Sequence, residues 1–228
     1  MNFDAILENF PMYLAGLAVT LKLLALSLLC GLALAVPLAV VRTVSRGWAS
    51  RLVWVYTYVF RGTPMLVQLF LCYYGLAQFE AVRDSWVWPW LSSATFCAWL
   101  TFTLNTAAYT TEIIAGSIRA LPAGEIEAAK ALGMGRGLLV RRIVLPAALR
   151  RALPAYGNEA IFMLHGTSLA SVVTLLDLTG AARAVNAKYY LPFEAFITAG
   201  AFYFVLTLSL VGLFRWAENR WLKPMMSR

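Results

Sequence analysis

A few polar groups stand inside long apolar stretches of this chain, and theirs are the residue types that could do chemistry. Glu159 follows Asn158, and six residues later His165 leads into Gly166-Thr167-Ser168. Asn105, Thr106 and Tyr109 fill one helical turn, with Asn105 and Tyr109 four apart on one face. Glu112 lies just beyond. Ionisable groups in such surroundings face a cavity or a partner as a rule. A carboxylate there attracts a cationic side chain, and hydroxyls and amides offer donors to a carboxylate. Bond-breaking chemistry finds no support. A single histidine excludes a histidine-based metal cluster or relay, and the chain has no GxxxxGK[ST], HExxH or GxSxG. Cys30, Cys72 and Cys97 have no CxxC spacing and read as small buried hydrophobes.

Each polar group has two readings. Glu159 either lines a translocation path or pairs with Arg150 or Arg151. His165, Thr167 and Ser168 either meet a solute or serve helix packing, since Ser, Thr and Gly are common packing groups in membrane helices. Asn105, Thr106 and Tyr109 point inward, to a path or to a second subunit. Glu112 is expected to pair with Arg119 or another loop cation, and Lys22 to snorkel to the surface. Arg61-Gly62-Thr63-Pro64 interrupts an apolar stretch. Proline disfavours helix before it, so a helix is expected to restart at Pro64 with Thr63 as its cap and Arg61 at the membrane interface.

The elements that must position these groups follow from composition. Of 228 residues, 61% are hydrophobic and 13% charged, against about 45–50% and 25% in soluble domains. This excludes disordered, collagen-like and disulfide-scaffold classes and points to a membrane. A span needs about 20 apolar residues, and five segments qualify: about 13–41, 52–79, 85–111, 155–176 and 195–214. Residues 119–151 are too charged for a sixth. Asp4 and Glu8, with no Lys or Arg before Lys22, do not fit the basic start of a cleaved leader.

Fifteen of the 19 Lys and Arg residues then fall on one side. Arg42, Arg46, Arg51 and Arg61 follow the first span. Arg119, Lys130, Arg136, Arg141, Arg142, Arg150 and Arg151 follow the third. Arg215, Arg220, Lys223 and Arg228 follow the fifth. Arg83, Arg183 and Lys188 lie opposite. The positive-inside rule puts the N-terminus outside and the C-terminus in the cytoplasm, with Trp86, Trp88 and Trp90 at the outer interface and Trp216 and Trp221 at the inner one. The net charge of +8 is thereby explained without nucleic acid.

The loop 124–154 is the most informative segment. Glu125 to Leu132 favour helix, the acidic start suits the helix dipole, and Gly133 is placed to end it. A second helix is expected from about Leu138, interrupted at Pro146. Ala128 and Ala129 are read as a small-residue face able to lie against another protein.

Glu127-Ala128-Ala129, Gly133, Ile143 and Leu145-Pro146 resemble, with every spacing matched, the coupling motif of ATP-binding-cassette importer permeases. Residues 60–64, 104–113 and 152–159 are similar to the polar amino acid permeases. Met163-Leu164-His165, Asn186-Ala187, Tyr190-x-Pro192-Phe193 and Arg215-x-Ala217-Glu218-x-Arg220-Trp221-Leu222 resemble the M-type subgroup of histidine/lysine/arginine/ornithine and arginine/ornithine importers.

The resemblance, over residues 10–223, implies an all-α type I permease fold in a bacterial inner membrane. It implies an outer segment 1–12, a permease domain 13–217 with the coupling loop 118–154, and a cytoplasmic tail 218–228. It further implies a Q-type permease partner, two ATPase subunits holding ATP and magnesium, and a periplasmic substrate-binding protein. This chain would be non-catalytic, without cofactor or metal, and would pass amino acids inward by alternating access. Basic amino acids are expected, with opines or other polar amino acids as the alternative. A self-sufficient secondary transporter or channel is the rival class. Such proteins often carry inverted repeats, and no internal repeat is evident here.

Overall fold

The computed structural model describes residues 3–45 and 47–222, and all secondary structure among them is helical. Arg46, Lys223 and Arg228 lie outside the described residues. The helices are α1 Asp4–Glu8, α2 Phe10–Val44, α3 Trp48–Gly62, α4 Met65–Phe70, α5 Glu80–Arg83, α6 Trp88–Leu91, α7 Ala94–Arg119, α8 Ala123–Ala131, α9 Arg136–Leu139, α10 Leu145–Gly166, α11 Leu178–Tyr189 and α12 Pro192–Trp221. A π turn, Leu71–Gly75, and a 3-10 turn, Leu76–Gln78, prolong α4. A second π turn, Val140–Val144, joins α9 to α10, and the 3-10 segment Thr167–Val173 follows α10.

By length and apolarity α2 and α12 suffice to cross a membrane, with a third span if the helices on either side of the 45° bend after Val173 count as one. The second expected segment holds the shorter apolar stretch Met65–Gln78. Helix α7 is less apolar because it stands at the centre, packed on α2, α3 and α10. Thr101, Thr103, Asn105, Thr106, Thr110 and Thr111 are buried there among alanines. Small side chains let helix backbones approach closely, which drives packing where lipid is as apolar as the protein.

Leu23 and Leu24 of α2, Leu69, Phe102, Met163, Leu164 and Val173 form the middle of the core. At the N-terminal end of α2, Tyr13 packs with Leu178, Ala181, Ala182 and Val185 of α11 and with Ala195 and Ala199 of α12. Sequence patterning did not anticipate α11. Asp177, fully buried, caps it by accepting from the backbone N–H groups of Thr179 (3.2 Å) and Gly180 (3.0 Å) and from the Tyr203 hydroxyl (3.3 Å). Thr20 Oγ1 accepts from Leu178 N–H at 3.1 Å, and Tyr13 donates to the Ala195 carbonyl at 3.1 Å. These bonds re-satisfy the backbone where the chain bends.

Three expectations need correction. Thr63 does not cap the restarted helix: the N-cap is Pro64, without a side-chain bond, and Thr63 Oγ1 donates backwards to the Val59 carbonyl at 2.8 Å. Pro146 does not interrupt the chain's helical course. The wider π turn Val140–Val144 precedes it, and Pro146 sits in the first turn of α10, where its missing N–H costs no bond. The fourth segment therefore begins at Leu145, ten residues before the expected start, and carries Pro154 inside it.

In the N-terminal half the closest approach of another segment's backbone to a glycine is at Gly16, where an added Cβ would lie 2.7 Å from the Asp177 carbonyl oxygen. Because the obstacle is backbone, Gly16→Val is expected to destabilise the fold by about 1–3 kcal/mol. A thermal melt of the detergent-purified protein will show a lowered midpoint.

Candidate functional site

Between Gly62 and Met65 the backbone is extended, with Thr63 at φ −118°, ψ 144° and Pro64 at φ −62°, ψ 134°. The groups freed by this break find a side chain. Gln68 Nε2 donates to the Phe60 carbonyl (2.8 Å), the Thr63 carbonyl (3.1 Å) and Thr63 Oγ1 (2.7 Å). Its Oε1 accepts from Asn105 Nδ2 of α7 at 2.9 Å. Tyr109, one turn further along α7, reaches the Arg61 carbonyl with its hydroxyl at 3.4 Å, and the Arg61 guanidinium lies 5.4 Å from the centre of its ring. The break is thereby pinned to α7, and Arg61 is held over an aromatic face.

A cavity of about 670 Å³ opens at this point. Arg61, Thr63 and Met65 form one wall, Asn105, Tyr109 and Ile113 of α7 a second, and Asn158, Glu159 and Phe162 of α10 a third. Glu159 is buried, whereas Arg61 and Asn158 are exposed. A guanidinium, a carboxylate, two amides and a phenol thus share one space. They can hold a carboxylate and an ammonium group at once.

Of the expected pathway residues, the structure brings Asn105, Tyr109 and Glu159 to this cavity. The other four lie elsewhere. Thr106 is buried, its methyl group against Gly31 of α2. His165 Nε2 lies 3.2 Å from Thr207 Oγ1 of α12, an interhelical hydrogen bond. Thr167 and Ser168 donate to the Leu164 and His165 carbonyls at 2.6 and 2.7 Å, finishing the end of α10. Arg151 donates to the Ala120 carbonyl at 2.9 Å, not to Glu159. Glu112 pairs as expected, with Arg42 (3.1 Å) and Arg119 (4.0 Å), and Lys22 is exposed. Sequence reasoning missed Arg61 and Gln68 as site residues. The signal was the proline-marked break beside Arg61, since irregular backbone at membrane depth is tolerated where it lines a cavity or is buried in protein.

The loop beyond α7 is a second candidate surface. Helix α8 ends at Gly133, whose φ of +78° suits glycine. Gly133 N–H donates to the Lys130 carbonyl at 2.9 Å and Met134 N–H to that of Ala129 at 3.1 Å. Ala129 is buried with Leu121, Leu139 and Val144, and Ile143 packs against them. The expected small-residue face is therefore divided, because neighbouring positions on a helix point about 100° apart. Ala129 turns inward, while Glu127, Ala128 and Gly133 are exposed and Leu132 is 82% exposed. Leu145 and Pro146 are half-buried behind them.

A profile of the family described as binding-protein-dependent transport system inner membrane component matches residues 27–223. The chain belongs to this family. The permease is 48% identical over 209 residues to the histidine/lysine/arginine/ornithine transport system permease protein HisM of Escherichia coli K12, covering 91% of this chain and 88% of the relative. It is 46% identical over 227 residues to the nopaline transport system permease protein NocM of Agrobacterium fabrum, covering 99% and 94%. It is 44% identical over 228 residues to the octopine transport system permease protein OccM of Rhizobium meliloti, covering 96% and 93%. A crystal structure of an amino acid ABC transporter with histidines superposes with a TM-score of 0.85 at 35% identity, covering 96% of the permease and 99% of that chain. The inward-facing MetNI methionine ABC transporter shares the fold, with a TM-score of 0.69 at 22% identity over 92% of the permease and 94% of that chain. The permease is thus an inner-membrane subunit of an amino acid ABC importer, with the type I fold.

Gln68→Leu removes the groups that close the 63–64 break and leaves the Phe60 and Thr63 carbonyls and the buried Asn105 amide without this partner. It is expected to cost about 1–3 kcal/mol and to lower transport. Thermal melting and uptake in proteoliposomes, measured on one preparation, check both effects.

Proposed function

We propose that this permease passes basic amino acids from the periplasm to the cytoplasm by alternating access, driven by a partner ATPase. The observation that carries this reading is the cavity in which Arg61 and Glu159 face one space. Arg61 suits the substrate carboxylate, and Glu159 suits an ammonium or guanidinium group. Asn105, Asn158 and Tyr109 supply neutral hydrogen bonds. Relatives named for histidine, lysine, arginine and ornithine and relatives named for nopaline and octopine stand at 48%, 46% and 44% identity, so identity does not choose between them. The charges of the cavity support the basic reading: one cation balanced by one carboxylate suits a basic amino acid better than an opine, which carries additional carboxylate.

Five spans are proposed, at 10–44, 52–79 with its break at 63–64, 94–119, 145–173 and 192–221, with the N-terminus outside and the C-terminus in the cytoplasm. The distribution of Lys and Arg supports this orientation. The cytoplasmic loop docks on the ATPase. Glu127, Ala128 and Gly133 form the contact, and Ala129, Ile143, Leu145 and Pro146 hold the loop rigid behind it. ATP and magnesium belong to two ATPase copies. A Q-type permease completes the cavity, and a periplasmic binding protein delivers the substrate.

Co-purification in mild detergent is expected to recover an ATPase and a second permease. In proteoliposomes, ATP-dependent uptake of labelled arginine is expected to yield to lysine, ornithine and histidine before octopine or nopaline. Glu159→Gln is expected to raise KM for arginine about tenfold or more, since a hydrogen bond to a charged group contributes about 1.5–3 kcal/mol. Uptake by the chain alone under an ion gradient would overturn the proposal.

A further inference from the structure

We propose that Glu112 is a positioning residue that clamps the cavity rim to the coupling loop, so that movement of the loop reaches Arg61. The proposal rests on the reading of the loop as the ATPase contact. Glu112 lies on α7, and its carboxylate gathers three elements. Oε1 accepts from Arg42 Nε at the end of α2 at 3.1 Å and from the Thr57 hydroxyl of α3 at 2.9 Å. Oε2 lies 4.0 Å from Arg119 Nη1 in the last turn of α7. Thr57 is 1% exposed, and the Glu112 and Arg42 side chains are 17% and 22% exposed, while Arg119 at the outer side is 51% exposed. The Arg42–Glu112 pair, sheltered and backed by the Thr57 hydroxyl, differs from an exposed surface ion pair.

The elements on either side give the clamp its consequence. Beyond Arg119 the chain enters the loop at once: Ile118 and Leu121 pack in the loop core with Ala129, Leu139 and Val144, and α8 starts at Ala123. The end of α7 therefore moves with the loop. On the other side, α3 runs from Thr57 to Arg61 in a single helical turn and then stops at the extended Thr63–Pro64. Helix α3 is fastened to α7 at two further levels, through Tyr56 Oη to the Leu104 carbonyl (2.6 Å) and Tyr109 Oη to the Arg61 carbonyl (3.4 Å). Glu112 is the ionic contact of the three and the nearest to the loop. Through it α3, the end of α2 and the end of α7 form one body, whose free edge is the Arg61 wall of the cavity. The break at 63–64 then lets that wall move relative to α4.

The test compares transport with ATP hydrolysis in the reconstituted importer, using whichever labelled amino acid the wild type moves. Glu112→Gln keeps the size and the acceptor oxygen but removes the charge. The ATPase is expected to stay bound and to hydrolyse ATP, while solute moved per ATP falls about tenfold, within the usual range of coupling energies. Glu127→Arg, at the contact itself, is expected to lose the ATPase on co-purification, which separates failure of the clamp from failure of the loop reading. The exchange Arg42→Glu with Glu112→Arg is expected to restore part of the lost coupling. Thr57→Val, a milder change, is expected to lower solute per ATP to a lesser degree, and it decides the matter if Glu112→Gln does not assemble. An unchanged ratio of solute to ATP in the assembled variants would overturn the proposal. So would a parallel fall of transport and hydrolysis, which marks Glu112 as a support of the fold alone.

Discussion

In hydrocarbon no water completes the hydrogen bonds of a broken helix. This bundle nevertheless breaks at 63–64 and bends between 167 and 177, and both places depend on a polar side chain, half-buried Gln68 at the first and buried Asp177 at the second. Gln68 gathers the carbonyls of Phe60 and Thr63 and is itself held by Asn105. Asp177 accepts the first free N–H groups of α11, while Thr20 takes that of Leu178. Neither repair is local: each reaches another helix, Asn105 on α7 and Thr20 on α2. Irregular backbone and interhelical packing are therefore one arrangement, and the cavity exists because the first of these breaks is affordable.

The same economy explains α7. It is less apolar than α2 and α12, and its threonines and alanines let α2 and α3 come close. Being central, it carries polar groups at successive levels. Asn105 fixes the break, Tyr109 steadies Arg61, and Glu112 joins α2 and α3 near the loop. A row of polar residues that looks like a pathway in sequence thus lines the cavity only in part. Two of its members face the cavity, and the others hold the helices that form it.

Glu127 to Gly133 was legible in the sequence because a helix ended by a left-handed glycine depends on neighbours only a few residues away, and Gly133 does adopt positive φ. The charge-rich ends of α2 and α7 were legible for the same reason, down to an ion pair for Glu112. Thr63 and Pro146 were misread where a one-residue rule met another arrangement a few residues away. The cap at Thr63 yielded to Gln68 from the next helix, and the stop at Pro146 was absorbed by a π turn. His165, Thr167 and Ser168 were grouped by adjacency along the chain. Their bonds run instead to α12 and to the carbonyls that end α10.

By itself the sequence determined the all-helical class, the membrane setting and the short helix ended by Gly133 in the loop after α7. Each of these follows from composition or from spacings within a few residues, where backbone geometry is fixed by the local pattern. Only the tertiary structure decided that Arg61 faces Glu159 across a cavity, that Ala129 is turned inward while Ala128 stays exposed, and that residues 178–189 form a helix against α2. Those outcomes depend on contacts between residues from about 10 to 160 positions apart, and hydrophobic periodicity carries no information about which faces will meet.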